Sequence, residues 1–182
     1  MRLFIGIDLP SSIKEKIDQI KNSLKKCSLD AKWINSQNAH LTLKFLGQVE
    51  EKKIPLISKL IESTANEFNA LKIEFRSFGF FPNDRKPRIF FVSTSKEDAL
   101  KSISQRLENK LESVGFEKED KFKSHITLAR LKSLKNITCV KTKIEKLTLG
   151  NPFIVNKIVL FKSILSRSGP LYEKIFSASF TS

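Results

Sequence analysis

Cysteine is scarce in this sequence, and long apolar runs are absent. The two cysteines, Cys27 and Cys139, are far apart in the chain and form no CxxC pair, so we expect two partly buried thiols rather than a disulfide framework or a zinc site. No stretch approaches the roughly 20 apolar residues of a membrane span, and the apolar run at the start is too short for a signal peptide. We therefore expect a cytoplasmic protein that inserts into no membrane.

Acidic residues are also few relative to basic ones. The chain has 33 Lys and Arg against 19 Asp and Glu, a formal net charge of +14. Such a surplus attracts polyanions, so nucleic acid is the leading class of partner. Most of these cations are lysine, whereas arginine is preferred for specific phosphate recognition, and the charge by itself is equally compatible with a solvated surface.

The 182 residues, 40% of them hydrophobic, suffice for one folded domain, residues 1–182, and they contain an internal repeat. The apolar run Arg2–Ile7 resembles Arg88–Ser93, and each run is typical of a strand. Each is followed by a predicted one-faced helix, with apolar residues at Ile13, Ile17, Ile20 and Leu24 in the first and at Leu100, Ile103, Leu107 and Leu111 in the second. A motif His-[Leu/Ile]-Thr-Leu then begins at His40 and again at His125.

The rest of the pattern completes two similar lobes. Helical spacing continues from Ile54 to Phe68, and alternating residues from Leu71 to Arg76 predict a strand. Further strands are predicted near Lys143–Leu149, Lys157–Ile164 and Tyr172–Phe180, with turns at Gly150–Pro152 and Ser168–Pro170. No low-complexity linker divides the halves. We expect an α+β protein in which each lobe is a mostly antiparallel sheet backed by helices.

The repeated motif places polar groups on one face of its strand. Alternate residues of a strand share a face, so His40 lies beside Thr42 and His125 beside Thr127. The opposite, core-facing positions are Leu41, Leu43 and Phe45 in the first strand and Ile126 and Leu128 in the second. If a pseudo-two-fold axis relates the halves, the two His and Thr pairs face each other across a cleft.

The two motifs contain every histidine of the chain. A single histidine on a strand is usually structural, but two in matched motifs supply a paired acid and base. Opening a 2′,3′-cyclic phosphate with water needs one group to take a proton from the water and another to give one to the leaving ribose oxygen. Imidazoles can do both near neutral pH, and threonine hydroxyls can hold the non-bridging phosphate oxygens.

The paired motifs resemble the twin His-x-Thr-x signature of the 2H phosphoesterase superfamily, and especially its RNA 2′,3′-cyclic 3′-phosphodiesterases, also called 2′-5′ RNA ligases. The resemblance extends over most of the chain, including Leu3–Pro10, Trp33, Phe78–Pro82, Ala129–Arg130 and Gly169-x-x-Tyr172. It implies a bilobal 2H phosphoesterase fold with the active site in the cleft between the lobes. It also implies hydrolysis of RNA 2′,3′-cyclic phosphate ends to a 2′-phosphomonoester, without metal or other cofactor.

The resemblance further implies a role for each candidate residue. His40 matches the proton donor to the leaving O3′, and His125 matches the acceptor that activates water. Thr42 and Thr127 match the residues that hold the phosphate. Arg130 matches a basic substrate-binding position, although strand alternation places it on the core-facing side unless the strand bends there.

Several alternatives remain open from the sequence. The enzyme could catalyse reversible 2′-5′ RNA ligation, or act on a small cyclic phosphate nucleotide, and a non-catalytic RNA-binding module is the competing class. Phe78, Phe80 and Phe81 precede the basic residues Arg85, Lys86 and Arg88, and together they could form an aromatic and basic lip on which a nucleobase stacks. Alternatively, most of these phenylalanines pack in the core. Zinc bound by the two histidines and two cysteines would need four scattered ligands. We expect a monomer that binds RNA with a 2′,3′-cyclic phosphate end.

Overall fold

Strand-forming runs alternate with one-faced helices along the chain. The computed structural model describes residues 1–119, 121–166 and 169–181. Its elements are β1 (Arg2–Asp8), α1 (Ser11–Lys25), β2 (Ala31–Trp33), β3 (His40–Gln48), α2 (Ile54–Ala65), β4 (Leu71–Ile73), β5 (Phe75–Phe81), β6 (Ile89–Thr94), α3 (Glu97–Glu112), β7 (His125–Leu131), α4 (Ile137–Ile144), β8 (Phe153–Val155), β9 (Lys157–Ser166) and β10 (Gly169–Ser179). Short 3-10 turns at Ser36–Asn38 and Glu51–Lys53 precede β3 and α2.

The two main sheets are antiparallel, and each borrows strands from the other half of the sequence. The first lobe has the strand order β10-β9-β1-β3, so the C-terminal hairpin joins β1 and β3. The second lobe has the order β2-β7-β6-β5, so β2 leaves the first half to pair with β7. A small sheet of β4 and β8 completes the strands described. The lobes are therefore interlocked rather than consecutive.

One continuous hydrophobic core runs through both lobes. The predicted helical faces are buried, with Ile17 and Leu24 of α1 and Leu107 of α3 fully inaccessible to solvent. α3 packs against β3, and α2 against β9 and β10, so helices cover part of the core-facing side of the first lobe. Among the described residues, no helix is long and apolar enough to cross a membrane.

Most predicted elements are confirmed, with one error and two adjustments. The predicted strand Lys143–Leu149 is wrong, because α4 continues to Ile144 and residues 145–152 form turns and irregular chain. Its apolar residues pack on the core, and so short a pattern does not distinguish a strand from a helix end. The segment 71–76 divides between β4 and β5, and α2 ends at Ala65 rather than continuing to Phe68. In the turn predicted at Ser168–Pro170, Ser168 lies outside the described residues.

The prediction of two separate thiols is also wrong. Cys27 and Cys139 form a disulfide bond, with their Cα atoms 5.6 Å apart. Cys27 follows α1 and Cys139 lies in α4, and the Asn136 side chain reaches back to donate a hydrogen bond to the Ser28 carbonyl at 3.0 Å. The fold brings together residues 112 positions apart, which cysteine spacing in the sequence does not reveal.

Candidate active site

Each histidine occupies the first position of its strand and is fixed by the backbone two residues earlier. His40 Nδ1–H donates to the Asn38 carbonyl at 2.7 Å, and His125 Nδ1–H donates to the Lys123 carbonyl at 2.7 Å. A carbonyl can only accept, so these bonds place the proton of each neutral ring on Nδ1. Nε2 is then the nitrogen that can take up a proton in both rings.

Both motif strands contain a β-bulge at the same position. On β3, Thr42 pairs with Gly6 and Lys44 with Ile5, so Leu43 is left without a partner on β1. On β7, Thr127 pairs with Phe91 and Ala129 with Phe90, so Leu128 is the extra residue. A bulge reverses the alternation of side chains beyond it.

The reversal changes the predicted faces of two residues. Phe45, which alternation assigned to the core, is 56% exposed, and its ring centroid lies 6.2 Å from that of Phe4. Arg130 is exposed. Burial raises the pKa of the Tyr172 hydroxyl in the first lobe, and the positive charge of Arg130 is close enough to oppose this in part. The bend in β7 therefore brings Arg130 to the face that carries His125 and Thr127.

Each bulge is supported by an element from the other half of the sequence. The Leu43 carbonyl accepts a hydrogen bond from the buried Ser104 hydroxyl of α3 at 2.8 Å. The Leu128 carbonyl accepts one from the Ile34 N–H, just beyond β2, at 3.0 Å. Because both carbonyls are satisfied, the bulges are stable features of the site rather than local defects.

His40 lies in an aromatic pocket of the first lobe. Its ring centroid is 4.6 Å from that of Phe4 and 5.1 Å from that of Tyr172, which meets it edge-on. The Asn38 side-chain amide donates to the Pro170 carbonyl at 2.7 Å, so the residue that holds His40 also holds the β9–β10 hairpin. Burial lowers the pKa of His40 below its ordinary value, and the hydrogen bond to Asn38 opposes this only in part.

His125 has an aromatic pocket of its own in the second lobe. Its ring centroid is 4.9 Å from that of Phe81 and 5.5 Å from that of Phe91, and the Lys123 ammonium lies over both phenyl rings. Burial lowers the pKa of His125, the hydrogen bond to Lys123 raises it, and the positive charge of Lys123 lowers it. The net pKa is below the ordinary value.

The two motifs meet in one site. Thr42 and Phe45 of β3 line the same pocket as His125 and Lys123, and β3 contacts β7. A positive charge on His125 lowers the pKa of His40, so the two rings interact electrostatically. The structure thus places His40 and Thr42 of β3 near His125 of β7.

The two threonines and Arg130 complete the polar lining. Thr42 and Thr127 are half-buried on the histidine face, each opposite a residue of the neighbouring strand. In the described part of the chain, neither hydroxyl makes a hydrogen bond to another protein group, and Arg130 forms no ion pair. All three side chains are therefore available to a bound anion.

Sequence reasoning missed a carboxylate beside the first histidine. Asp8 pairs with His40 across β1 and β3, binds Lys14 at 2.7 Å and also contacts Lys174. Burial acts to raise the pKa of Asp8, but the hydrogen bonds and charges of the two lysines outweigh it and hold the pKa below its usual value. Asp8 therefore remains ionised, and its charge raises the pKa of His40.

The family follows from the sequence itself. A sequence model of the 2′-5′ RNA ligase superfamily matches residues 9–165. The chain belongs to this superfamily. An RNA 2′,3′-cyclic phosphodiesterase of Methanocaldococcus jannaschii is 35% identical over 178 residues, covering 96% of this chain and 98% of that protein. One from Thermotoga maritima is 32% identical over 185 residues, covering 99% and 96%.

Solved structures confirm the expected fold of this 2′-5′ RNA ligase superfamily member. TT0787 of Thermus thermophilus superposes with a TM-score of 0.83 at 25% identity, covering 99% of this chain and 98% of that one. E. coli LigT in its apo form superposes with a TM-score of 0.75 at 21% identity, covering 100% and 98%. The bilobal 2H phosphoesterase fold inferred from the paired motifs is thus confirmed.

The remaining candidates separate into core and site. In this superfamily member Phe78 and Phe80 stack on Phe90 in the core, with centroids 5.6 and 5.1 Å away, whereas Phe81 stacks on Phe91 beside His125. Of the predicted aromatic lip, only Phe81 therefore reaches the site. Within the described residues, no three His, Cys, Asp or Glu side chains are grouped as a metal site would require.

Proposed function

We propose that this chain hydrolyses the 2′,3′-cyclic phosphate at the end of an RNA to a 2′-phosphomonoester. The observation that carries the proposal is the matched placement of His40 and His125, each held through Nδ1 and each with Nε2 able to exchange a proton. The names of the relatives from Methanocaldococcus jannaschii and Thermotoga maritima support the same reaction. The large positive charge supports an RNA substrate.

The reaction needs two proton transfers on opposite sides of phosphorus. Nε2 of neutral His125 takes a proton from water as the water oxygen bonds to phosphorus. Protonated His40 gives its Nε2 proton to O3′ as the P–O3′ bond breaks. The products are a 2′-phosphate and a free 3′-hydroxyl, and the two histidines exchange protonation states.

The surroundings of the two rings support this division of roles. Burial lowers the pKa of His40, but the negative charge of Asp8 opposes this by more than the positive charge of Lys14 adds to it, which favours the protonated ring that an acid needs. Lys123 lowers the pKa of His125, which favours the neutral ring that a base needs. The backbone of the two motifs is alike, so the charged neighbours distinguish the acid from the base.

Thr42, Thr127 and Arg130 stabilise the phosphate in this proposal. The two hydroxyls donate hydrogen bonds to the non-bridging oxygens, where negative charge grows in the transition state. Arg130 adds a positive charge from the second lobe, close to Tyr172 of the first. The same groups could run 2′-5′ ligation, with a 5′-hydroxyl of a second RNA in place of water, as the superfamily name indicates.

The product of a short RNA ending in a 2′,3′-cyclic phosphate tests the proposal. We expect conversion to the 2′-phosphate, resolved from the 3′-phosphate by chromatography, at the same rate with and without EDTA. A 3′-phosphate product would contradict the leaving-group assignment, and loss of activity with EDTA that one divalent ion restores would contradict the two-histidine mechanism.

We further propose that the protein acts as a monomer in the cytoplasm. One chain supplies both histidine motifs and Arg130, so no second subunit is needed to provide the groups used in the mechanism. Light scattering during size-exclusion chromatography should give the mass of one 20.8 kDa chain.

A further inference from the structure

A basic groove lies at the far end of β7 from His125. It has a volume of about 460 Å³ and is formed by the β5–β6 loop and the chain that follows β7. Its lining residues are Arg85, Lys86, Pro87, Arg88, Leu131, Lys132, Ser133 and Leu134. Four of these side chains are cations and none is a carboxylate, so the groove is suited to a polyanion.

The cations of the basic groove are not neutralised within the protein. In residues 1–119, 121–166 and 169–181, none of the four forms an ion pair. The Asp30 carboxylate lies beside the groove, where it accepts a hydrogen bond from the Ser133 hydroxyl at 2.6 Å, but within the described residues neither it nor the Asp84 carboxylate forms an ion pair with a groove cation. The four exposed cations can therefore contact an external anion.

The loop that carries these cations has a defined conformation. The N–H groups of Arg85 and Lys86 both donate to the Asn83 side-chain oxygen at 3.0 Å. Arg88 N–H donates to the Phe81 carbonyl at 2.6 Å, and the Leu131 N–H donates to the Arg88 carbonyl at 2.9 Å. The groove is therefore preformed, which lowers the entropic cost of binding.

The basic groove continues the line of the active site. Along β7, the histidine face carries Thr127 and then Arg130, and Lys32 of β2 pairs directly with Arg130. The strand rises about 3.3 Å per residue, so the groove lies roughly 20 Å from His125, a span of several nucleotides. Cationic side chains thus extend from the phosphate site to the groove.

We propose that the basic groove binds the sugar-phosphate backbone upstream of the terminal cyclic phosphate, an assignment that rests on the proposed function. A chain whose 3′ end lies between the two histidines has its preceding phosphates near Arg130 and Lys32, and the next in the groove. Arg85, Lys86 and Lys132 contact these phosphates, and the groove selects long RNA over a mononucleotide without taking part in bond breaking.

The test compares two triple variants of equal charge change. The groove variant is Arg85→Gln with Lys86→Gln and Lys132→Gln. The control variant is Lys26→Gln with Lys59→Gln and Lys101→Gln, three exposed lysines at the end of α1 and on α2 and α3. Both are assayed on cytidine 2′,3′-cyclic phosphate and on an RNA octamer with a 2′,3′-cyclic phosphate end, between about 50 and 200 mM salt.

We expect the groove variant to lower kcat/KM for the octamer about fivefold or more through KM, with kcat unchanged. The slope of log KM against log salt should fall by about 2, at roughly 0.7 for each phosphate contact of a single strand. The control variant and the mononucleotide should change by less than about twofold.

Two results would overturn the groove assignment. One is an octamer KM and salt slope equal to those of the control variant, and the other is an equal loss on the mononucleotide. If the wild-type protein hydrolysed neither substrate, the proposed function would fail instead. Fluorescence anisotropy with a labelled octamer would then decide the groove separately, since weaker binding by the groove variant than by the control would still support it.

Discussion

Opposite His40 the neighbouring strand carries Asp8, whereas opposite His125 it carries Ser93. Four residues beyond the histidine, the first motif has a buried cation, Lys44, and the second has Ala129. The two motifs share a bulge, a hydrogen-bonded ring and an aromatic pocket, so their backbones are near copies. Charged neighbours differ, and in our proposal they allow one copied motif to act as acid and the other as base.

Removal of either histidine has the largest expected effect. We expect His40→Ala and His125→Ala each to lower kcat by about 10²- to 10⁴-fold, because each removes one of the two proton transfers. Steady-state kinetics on cyclic-phosphate RNA measures the loss. Thermal unfolding close to that of the wild type serves as the control. Near-normal turnover in both variants would contradict the assignment of the two histidines as acid and base.

The pH profiles of these variants sharpen the assignment of roles. Without the acid, His40→Ala should keep its residual kcat/KM constant at high pH and should still decline on the acidic side. That remaining decline belongs to protonation of His125. His125→Ala should show the opposite profile, constant at low pH and falling as His40 loses its proton. Interchanged profiles would reverse the two roles.

The buried ion pair of the first motif has no counterpart in the second. Lys44 Nζ lies 2.9 Å from Glu108 Oε2, with side chains 2% and 4% exposed, and Lys44 also donates to the Glu117 carbonyl. We expect Glu108→Ala to lower the free energy of unfolding by about 3–5 kcal/mol, because it leaves the buried Lys44 charge without a carboxylate and the Glu119 N–H without its acceptor. Urea denaturation measures this loss.

An exposed ion pair provides the matched control. Lys52 and Glu50 lie 2.6 Å apart, but their side chains are 77% and 65% exposed. Glu50→Ala should cost less than about 1 kcal/mol, since water screens the pair. If the two substitutions lowered the free energy of unfolding equally, the buried Lys44–Glu108 pair would not be a special source of stability for the first motif.

The disulfide joins the two halves at a distance from the active site. We expect Cys27→Ser with Cys139→Ser to lower the free energy of unfolding by about 2–4 kcal/mol, because the bond closes a long loop in the unfolded chain. Activity at 25 °C should be unchanged. Thermal unfolding with and without dithiothreitol gives the same comparison, and an unchanged Tm on reduction would contradict it.

The smallest predicted effect is the position of the wild-type pH optimum. Burial lowers the pKa of both histidines. In the free enzyme, the active form with protonated His40 and neutral His125 is therefore most populated at a pH below the ordinary imidazole pKa of about 6.5. kcat/KM should therefore peak on the acidic side of that value and fall at higher pH as His40 deprotonates. The kcat profile should lie at higher pH, because bound phosphate favours protonated His40. An optimum of kcat/KM well above neutral pH would contradict these directions.

The repeat itself shows a limit of sequence comparison. Aligning Arg2 with Arg88 gives an offset of 86 residues between the two halves. In the structure Asp8 pairs with His40 and Ser93 pairs with His125, so Asp8 corresponds to Ser93 and the offset is 85 residues. Apolar runs of similar composition can slide by one residue without an evident loss of similarity. In the fold, such a slip would exchange the two faces of the strand, so the pairing fixes the register.

The sequence by itself determined the elements and the local faces of the motifs. The helical spacing in α1 and α3 and the alternation that sets His40 beside Thr42 depend on neighbours within a few residues, so they can be read directly. Tertiary structure decided the exchange of β2 and the C-terminal hairpin between lobes, the disulfide, and the placement of Asp8 and Tyr172 beside His40. It also decided the bulges that turn Phe45 and Arg130 to the site, because Ser104 and Ile34, which hold those bulges, lie in the opposite halves of the chain. Contacts between residues so far apart in sequence leave no periodic pattern in either segment alone.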